Sequence, residues 1–153
     1  MNIFLPCPNN INQSVRSLDD RRLIKQILEC KVLLYISETN QSGGYANHPV
    51  AKHYREQPNF LRYYGWVCCC EYFIRFNKMH EYTPIFKPVA VFDKVADYTP
   101  LYAEGRRTDP DSIRTTDPKT VGELFRNKLN QKWKTDSIPP KWTNRTEPKF
   151  YNA

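Results

Sequence analysis

LDDRRLIKQILECKVLLYIS, residues 18–37, reads as one uninterrupted amphipathic helix. Apolar residues at 23, 24, 27, 28, 32, 33, 34 and 35 recur near the 3.6-residue period, and no glycine or proline breaks the run. Ser17 and Asp20, three positions apart, resemble a capping box, and Asp19 and Asp20 suit the positive end of a helix. The predicted helix runs from Leu18 to about Ser37. Ahead of it, MNIFLPCPNNINQSVR has a short apolar start followed by turn-forming proline and asparagine, which predicts an extended arm packed on the body.

Behind the helix, ETNQSGGYANHP (38–49) is a loop, and Pro49 suits the first position of a short helix reaching Gln57. Pro58 ends that helix and begins another, expected to reach Met79. Its apolar residues, among them Phe60, Leu61, Tyr64, Val67 and Cys68, are too dense for a single stripe and predict burial on most sides. Residues 81–118 carry Pro84, Pro88, Pro100, Pro110 and Pro118 and read as an irregular surface wrap, mobile in part between Glu104 and Asp117. Asp117 and Pro118 look like a cap and a first-turn proline, opening a last helix to about Trp133. The tail, SIPPKWTNRTEPKFYNA, stays irregular, with Trp142, Phe150 and Tyr151 either docked on the body or facing a ligand. The expected fold is all-α: a compact single domain over 1–153, a bundle of three to four helices with a long Pro-rich connection and a C-terminal tail.

Composition narrows the partners. With 23 Lys and Arg against 16 Asp and Glu, the formal charge is +7, which favours a polyanion through counterion release and steering. Ten Tyr, eight Phe and three Trp beside these cations suit stacking on unpaired bases, although a core and its rim account for aromatic rings equally well. Five cysteines, three of them consecutive at 68–70, make no orderly disulfide set and have no finger-like partners, so a reducing cytoplasm, no metal and buried apolar packing of the triple are expected. Neither a signal peptide nor a membrane span is expected.

On the first long helix Arg22, Lys25, Gln26 and Glu29 fall at i, i+3, i+4 and i+7 and share one stripe. Such a stripe is either a solvated ion-pair face or a reactive surface. It combines cations for phosphate, an amide able to read a base edge and one carboxylate able to move a proton. Asn47 and His48, just ahead of Pro49, could serve a phosphate or base near a helix start, or Asn47 could simply cap that helix.

The segments MNIFLP, LDDRRLIKQILECKVLL, GYANHPVAKHY, FLRYYGWVCCCEYFIRF and PPKWTNR together resemble the phage endonuclease V family of pyrimidine-dimer DNA glycosylases and its phage and bacterial relatives. The resemblance implies an all-helical single domain that binds damaged double-stranded DNA. A monomer without cofactor or metal is expected, in the host cytoplasm if phage-encoded. It implies attack on the deoxyribose C1′ by a backbone α-amine, a Schiff base, and possible strand cleavage by an AP-lyase step. Matching the first helix puts the supporting glutamate at Glu29, with Arg22, Lys25 and Gln26 in neighbouring phosphate- and base-contacting positions. Arg21, Asn47, His48, Lys52, Trp142 and Arg145 are further expected DNA contacts. The family's nucleophile is the amine of a small second residue, whereas Asn2 is bulky. The amine of Met1, the amine of Asn2, Lys25 and an activated water therefore stand as alternatives for attack. Two other functions fit the same residues: modification of unusual DNA bases or nucleotides, and non-catalytic binding of DNA or a host protein.

Overall fold

A computed structural model describes residues 2–87, 98–104 and 113–152. Its helices are α1 (Ile11–Arg16), α2 (Asp20–Thr39), α3 (Pro49–Tyr54), α4 (Pro58–Phe76) and α5 (Pro118–Thr135). Short 3-10 turns cover Gly44–Asn47 and Thr83–Phe86. The helical class expected from sequence holds, with one addition among the described residues: β1 (Tyr102–Ala103) pairs antiparallel with β2 (Arg114–Thr115), Ala103 lying opposite Arg114. Met1, 88–97 and 105–112, where part of the expected Pro-rich wrap falls, lie outside the described residues.

The long helices stop where their residues dictate. Asn40 and Asn77 take left-handed conformations, with φ of 50° and 51°, immediately after α2 and α4, a geometry that asparagine tolerates and that satisfies the last carbonyls. This is why α4 ends at Phe76 and not at Met79. The short α3 ends at Tyr54 instead of Gln57, because Gln57 precedes Pro58 and is held at φ −127°, ψ 51°. At α5 the sequence reading holds: the Asp117 side chain accepts the Thr120 N–H at 3.0 Å and Pro118 fills the first turn.

Two expectations near the N-terminus are corrected. The arm is not extended throughout, because Asn10 caps a six-residue helix, its side chain accepting from Gln13 N at 3.0 Å. Ser17 closes that helix, donating to the Gln13 carbonyl at 2.7 Å, and so cannot form a capping box for α2. The start of α2 is capped from far away: the Asp20 N–H donates to the Lys141 carbonyl at 2.8 Å.

One core joins all parts. Leu23, Ile27, Cys30 and Leu34 of α2, Leu61, Tyr64 and Cys68 of α4, Ile3 and Leu5 of the arm, and Val121, Phe125 and Leu129 of α5 are all at most 2% exposed. Phe4 of the arm lies on Phe125, ring centroids 5.4 Å apart. Gly65 admits the ring of Phe86, since a Cβ there would meet it at 2.3 Å. Cys68 and Cys69 are buried as expected while Cys70 is exposed, and all five cysteines are free. Burial pushes the Cys69 thiol up to about 11, which keeps it protonated and inert. The tail docks: Trp142 is buried, its indole N–H donating to the Ser17 carbonyl at 3.0 Å, with its ring against Trp133 and Tyr151.

Candidate active-site cleft

The polar stripe of α2 forms the floor of a cleft of about 420 Å³. Arg21, Arg22, Lys25, Gln26 and Glu29 come from α2, Asn2 and Phe4 from the arm, and His48 and Pro49 from the start of α3. The opposite wall is built by Ala103, Glu104 and Arg114 of the strand pair and by Lys128 and Lys132 of α5. Among the described residues of its lining, six cations (Arg21, Arg22, Lys25, Arg114, Lys128, Lys132) thus face two carboxylates, Glu29 and Glu104. Such a surplus in a concave site attracts a polyanion.

The chemistry-bearing groups converge where the arm crosses α2. The main-chain nitrogen of Asn2 lies 3.5 Å from Glu29 Oε2. Gln26 Nε2 donates to that same oxygen at 2.9 Å and to the Asn2 carbonyl at 2.7 Å. The Lys25 ammonium stands 4.0 Å from the other oxygen, Oε1, on a side chain that is 71% exposed. Asn2 Oδ1 is buried with no hydrogen-bond partner among the described residues. Met1 lies outside them.

The cations differ in how firmly they are held. Arg22 is committed to Asp136 by two hydrogen bonds, 2.7 and 3.0 Å, and to Asp19. Lys128 is paired with Glu104 at 2.9 Å, whose other oxygen accepts from the Tyr102 hydroxyl at 3.0 Å. Those hydrogen bonds, from Lys128 first, hold the Glu104 carboxyl below its ordinary value against the opposing effect of burial. Lys132 is pushed down by burial and then by the charges of Arg22, Lys128 and Lys25, which outweigh Asp136. An ammonium under that pressure gains most from an arriving phosphate.

Several sequence-derived contacts are reassigned. Gln26 is 1% exposed and fully hydrogen-bonded within the protein, so it has no capacity to read a base edge. His48, not Asn47, caps α3, its Nδ1 accepting from Val50 N at 3.2 Å, and α3 is a single short helix of six residues. Asn47 and Lys52 are exposed outside the cleft lining. Trp142 and Arg145 also stand apart from the cleft: the first is packed into the tail's aromatic cluster, and the second is bound to Glu71 by two hydrogen bonds of 2.9 Å. Sequence reasoning missed Glu104, Arg114, Lys128 and Lys132. Only the i, i+4 spacing of Lys128 and Lys132 on α5 hinted at them.

A family model described as pyrimidine dimer DNA glycosylase matches residues 1–83, more than half of the chain. The chain belongs to that family. No curated protein and no solved structure matches it significantly. As a member of the pyrimidine dimer DNA glycosylases the chain is an enzyme of DNA repair whose family acts on damaged DNA. The matched segment contains the arm and α1 to α4, hence Asn2, Gln26, Glu29 and Tyr64, whereas the strand pair and α5 that complete the cleft lie beyond it. Among the described residues no helix is long and apolar enough to cross a membrane, and no group of three His, Cys, Asp or Glu could hold a metal.

Proposed function

We propose that this glycosylase excises a damaged or modified pyrimidine from double-stranded DNA by amine attack at C1′, with Glu29 as the assisting carboxylate. One observation carries the reading: the Asn2 nitrogen lies 3.5 Å from Glu29 Oε2 at the floor of a cleft dominated by cations. Cleavage after Met1 turns that nitrogen into a primary amine in contact with a base. Its lone pair forms a bond to C1′ as the glycosidic bond breaks and its electron pair leaves with the pyrimidine, which takes up a proton. The attached nitrogen loses its protons as the sugar ring opens, giving the imine, and Glu29 accepts and returns them. Removal of a C2′ proton then expels the 3′ phosphate, which is the AP-lyase step. Lys25 is the less favoured amine, because its long exposed side chain is not fixed on Glu29. The damaged strand is held by Arg21, Lys25, Arg114 and Lys132, and the extruded nucleotide enters the cleft at a cost of a few kcal/mol that a lesion lowers.

A second reading follows from the bulk of Asn2. With Met1 retained the Asn2 nitrogen is a peptide N–H donating to Glu29, and the Met1 amine or a water activated by Glu29 must attack instead. Borohydride trapping on duplex DNA carrying one pyrimidine dimer, with peptide mapping of the adduct, separates these routes. An adduct on the N-terminal peptide supports amine chemistry there, one on the Lys25 peptide moves the nucleophile, and glycosidic cleavage, read as an alkali-labile strand break, without any adduct assigns the attack to water. Absence of glycosidic cleavage at the dimer overturns the glycosylase reading.

A further inference from the structure

We infer that Gln26 is a positioning residue for excision: its carboxamide fixes the arm nitrogen against Glu29 and leaves Glu29 Oε1 as the oxygen that meets substrate. The inference rests on the glycosylase reading above. A primary carboxamide offers two N–H donors and two acceptor lone pairs, and Gln26 uses all four inside the protein. Its Oε1 accepts the Phe4 N–H at 2.9 Å and the Tyr64 hydroxyl at 2.8 Å, while Nε2 donates to the Asn2 carbonyl at 2.7 Å and to Glu29 Oε2 at 2.9 Å.

The geometry makes this a register lock. The grips on Asn2 C=O and Phe4 N–H are two residues apart on the arm, so the arm cannot slide along α2 without breaking both. The Phe4 N–H and the Glu29 carboxylate set which way round the amide lies: a flipped amide would point its N–H at the Phe4 donor and its oxygen at the carboxylate, losing hydrogen bonds on both sides in a buried place. The single Tyr64 hydroxyl proton is shared between two acceptors, Gln26 Oε1 at 2.8 Å and the Phe4 carbonyl at 2.9 Å, tying α4 to the same arm. The two oxygens of Glu29 consequently differ among the described residues: Oε2 is occupied by Gln26 and faces the Asn2 nitrogen, and Oε1 has the Lys25 ammonium 4.0 Å away.

The test uses Gln26→Met, which keeps the reach of the side chain and removes all four hydrogen bonds, and Tyr64→Phe, which removes one hydroxyl from a ring that stays in place. Binding and single-turnover excision are measured on duplex DNA with one pyrimidine dimer. Positioning predicts an excision rate about 10²-fold lower in Gln26→Met, as a shift of about 1 Å in a reacting pair would give, with the DNA Kd changed by less than about threefold. Tyr64→Phe should lose about three- to tenfold in rate, and the double variant should be no slower than Gln26→Met, because both act through one carboxamide. Additive losses, or a weakened Kd with an unchanged rate, overturn the proposal. Should Gln26→Met not fold, Tyr64→Phe decides alone: a wild-type rate at wild-type Kd overturns the lock. A wild-type enzyme that breaks no glycosidic bond at the dimer takes the glycosylase reading and this one down together, whereas an active wild type matched by a folded Gln26→Met removes only the positioning role.

Discussion

Two buried polar nodes hold the two ends of the chain, and they are built oppositely. At the arm the node is Gln26, a neutral amide, and at the tail it is Arg75, a cation; each is 1% exposed. Arg75 donates to Glu71 at 2.9 Å, Asp20 at 3.0 Å and the Arg16 carbonyl at 3.0 Å. Arg145 and Asn144 of the tail then bind Glu71 and the Arg75 carbonyl, while Thr143 binds Asp20. Two cations, Arg75 and Arg145, meet two carboxylates, Glu71 and Asp20, so the tail node is balanced and keeps nothing for a ligand. The arm node fixes geometry through a neutral amide: Glu29 Oε2 accepts from Gln26 and faces the Asn2 nitrogen, and the Lys25 ammonium, 4.0 Å from Oε1, sits on an exposed side chain. Neutral scaffolding where charge must work, and charged scaffolding where it must not, is the distinction the two ends draw.

The comparison breaks most visibly through its reacting carboxylate. Glu29→Gln keeps the shape and an acceptor for Gln26 but cannot take a proton, and single-turnover excision should fall about 10²- to 10⁴-fold while the melting temperature stays near wild type. An excision rate close to wild type would remove Glu29 from the chemistry. The converse substitution is Arg75→Met. It leaves Glu71 and Asp20 short of a buried partner and should cost about 3–5 kcal/mol of stability in urea unfolding, with excision per folded molecule changed only a few-fold. Loss of activity without loss of stability would show that the tail node serves the cleft after all.

What the sequence disclosed follows the same division. The body of α2 was legible because its apolar residues repeat at the helical period over twenty residues, and α5 because Asp117 and Pro118 are a local start signal. Glu29 was singled out by resemblance, and the structure puts it in the cleft beside the arm. Gln26 was misread for a physical reason: on a helix surface it belongs to a charged stripe, and only the arm crossing that stripe turns it inward. The same holds at the start of α2, where the capping carbonyl of Lys141 comes from the tail, a contact that no local pattern encodes. Lys128 and Lys132 were visible as residues of a helix but not as a wall, because which side of α5 faces the body is decided by the packing of Phe125 on Phe4 and Tyr102.

Acid sharpens the contrast more gently. Burial alone would raise the Glu71 carboxyl, but hydrogen bonds and charge from Arg145 and Arg75 outweigh it and hold it below its ordinary value of 4.5. A carboxyl lowered in the folded state contributes stability that is present above its unfolded value and is lost as pH falls through the lowered folded one. The melting temperature should therefore decline once the pH drops below that ordinary value, and Glu71→Gln should flatten the decline. A slope identical in wild type and variant would assign acid sensitivity to other carboxyls, such as Asp136, which the Arg22 hydrogen bond also lowers.

The smallest effect comes from the cleft's least committed wall cation. Among the described residues Lys132 has no ion-pair partner comparable to the Asp136 of Arg22 or the Glu104 of Lys128, and burial, followed by neighbouring cations, lowers its affinity for its proton. A phosphate arriving there relieves that repulsion without first breaking a bond in the protein, so Lys132 should neutralise DNA more readily than Arg22. Lys132→Gln should weaken DNA binding a few-fold and reduce the slope of log K against log salt by about 0.9, one phosphate contact, for damaged and undamaged duplex alike. Arg22→Gln should change the slope less and stability more, since its guanidinium is spent on Asp136 and Asp19. Equal slopes for wild type and Lys132→Gln would mean that the DNA backbone passes on the α2 side of the cleft, past Arg21 and Lys25, and that the α5 wall meets only the extruded nucleotide.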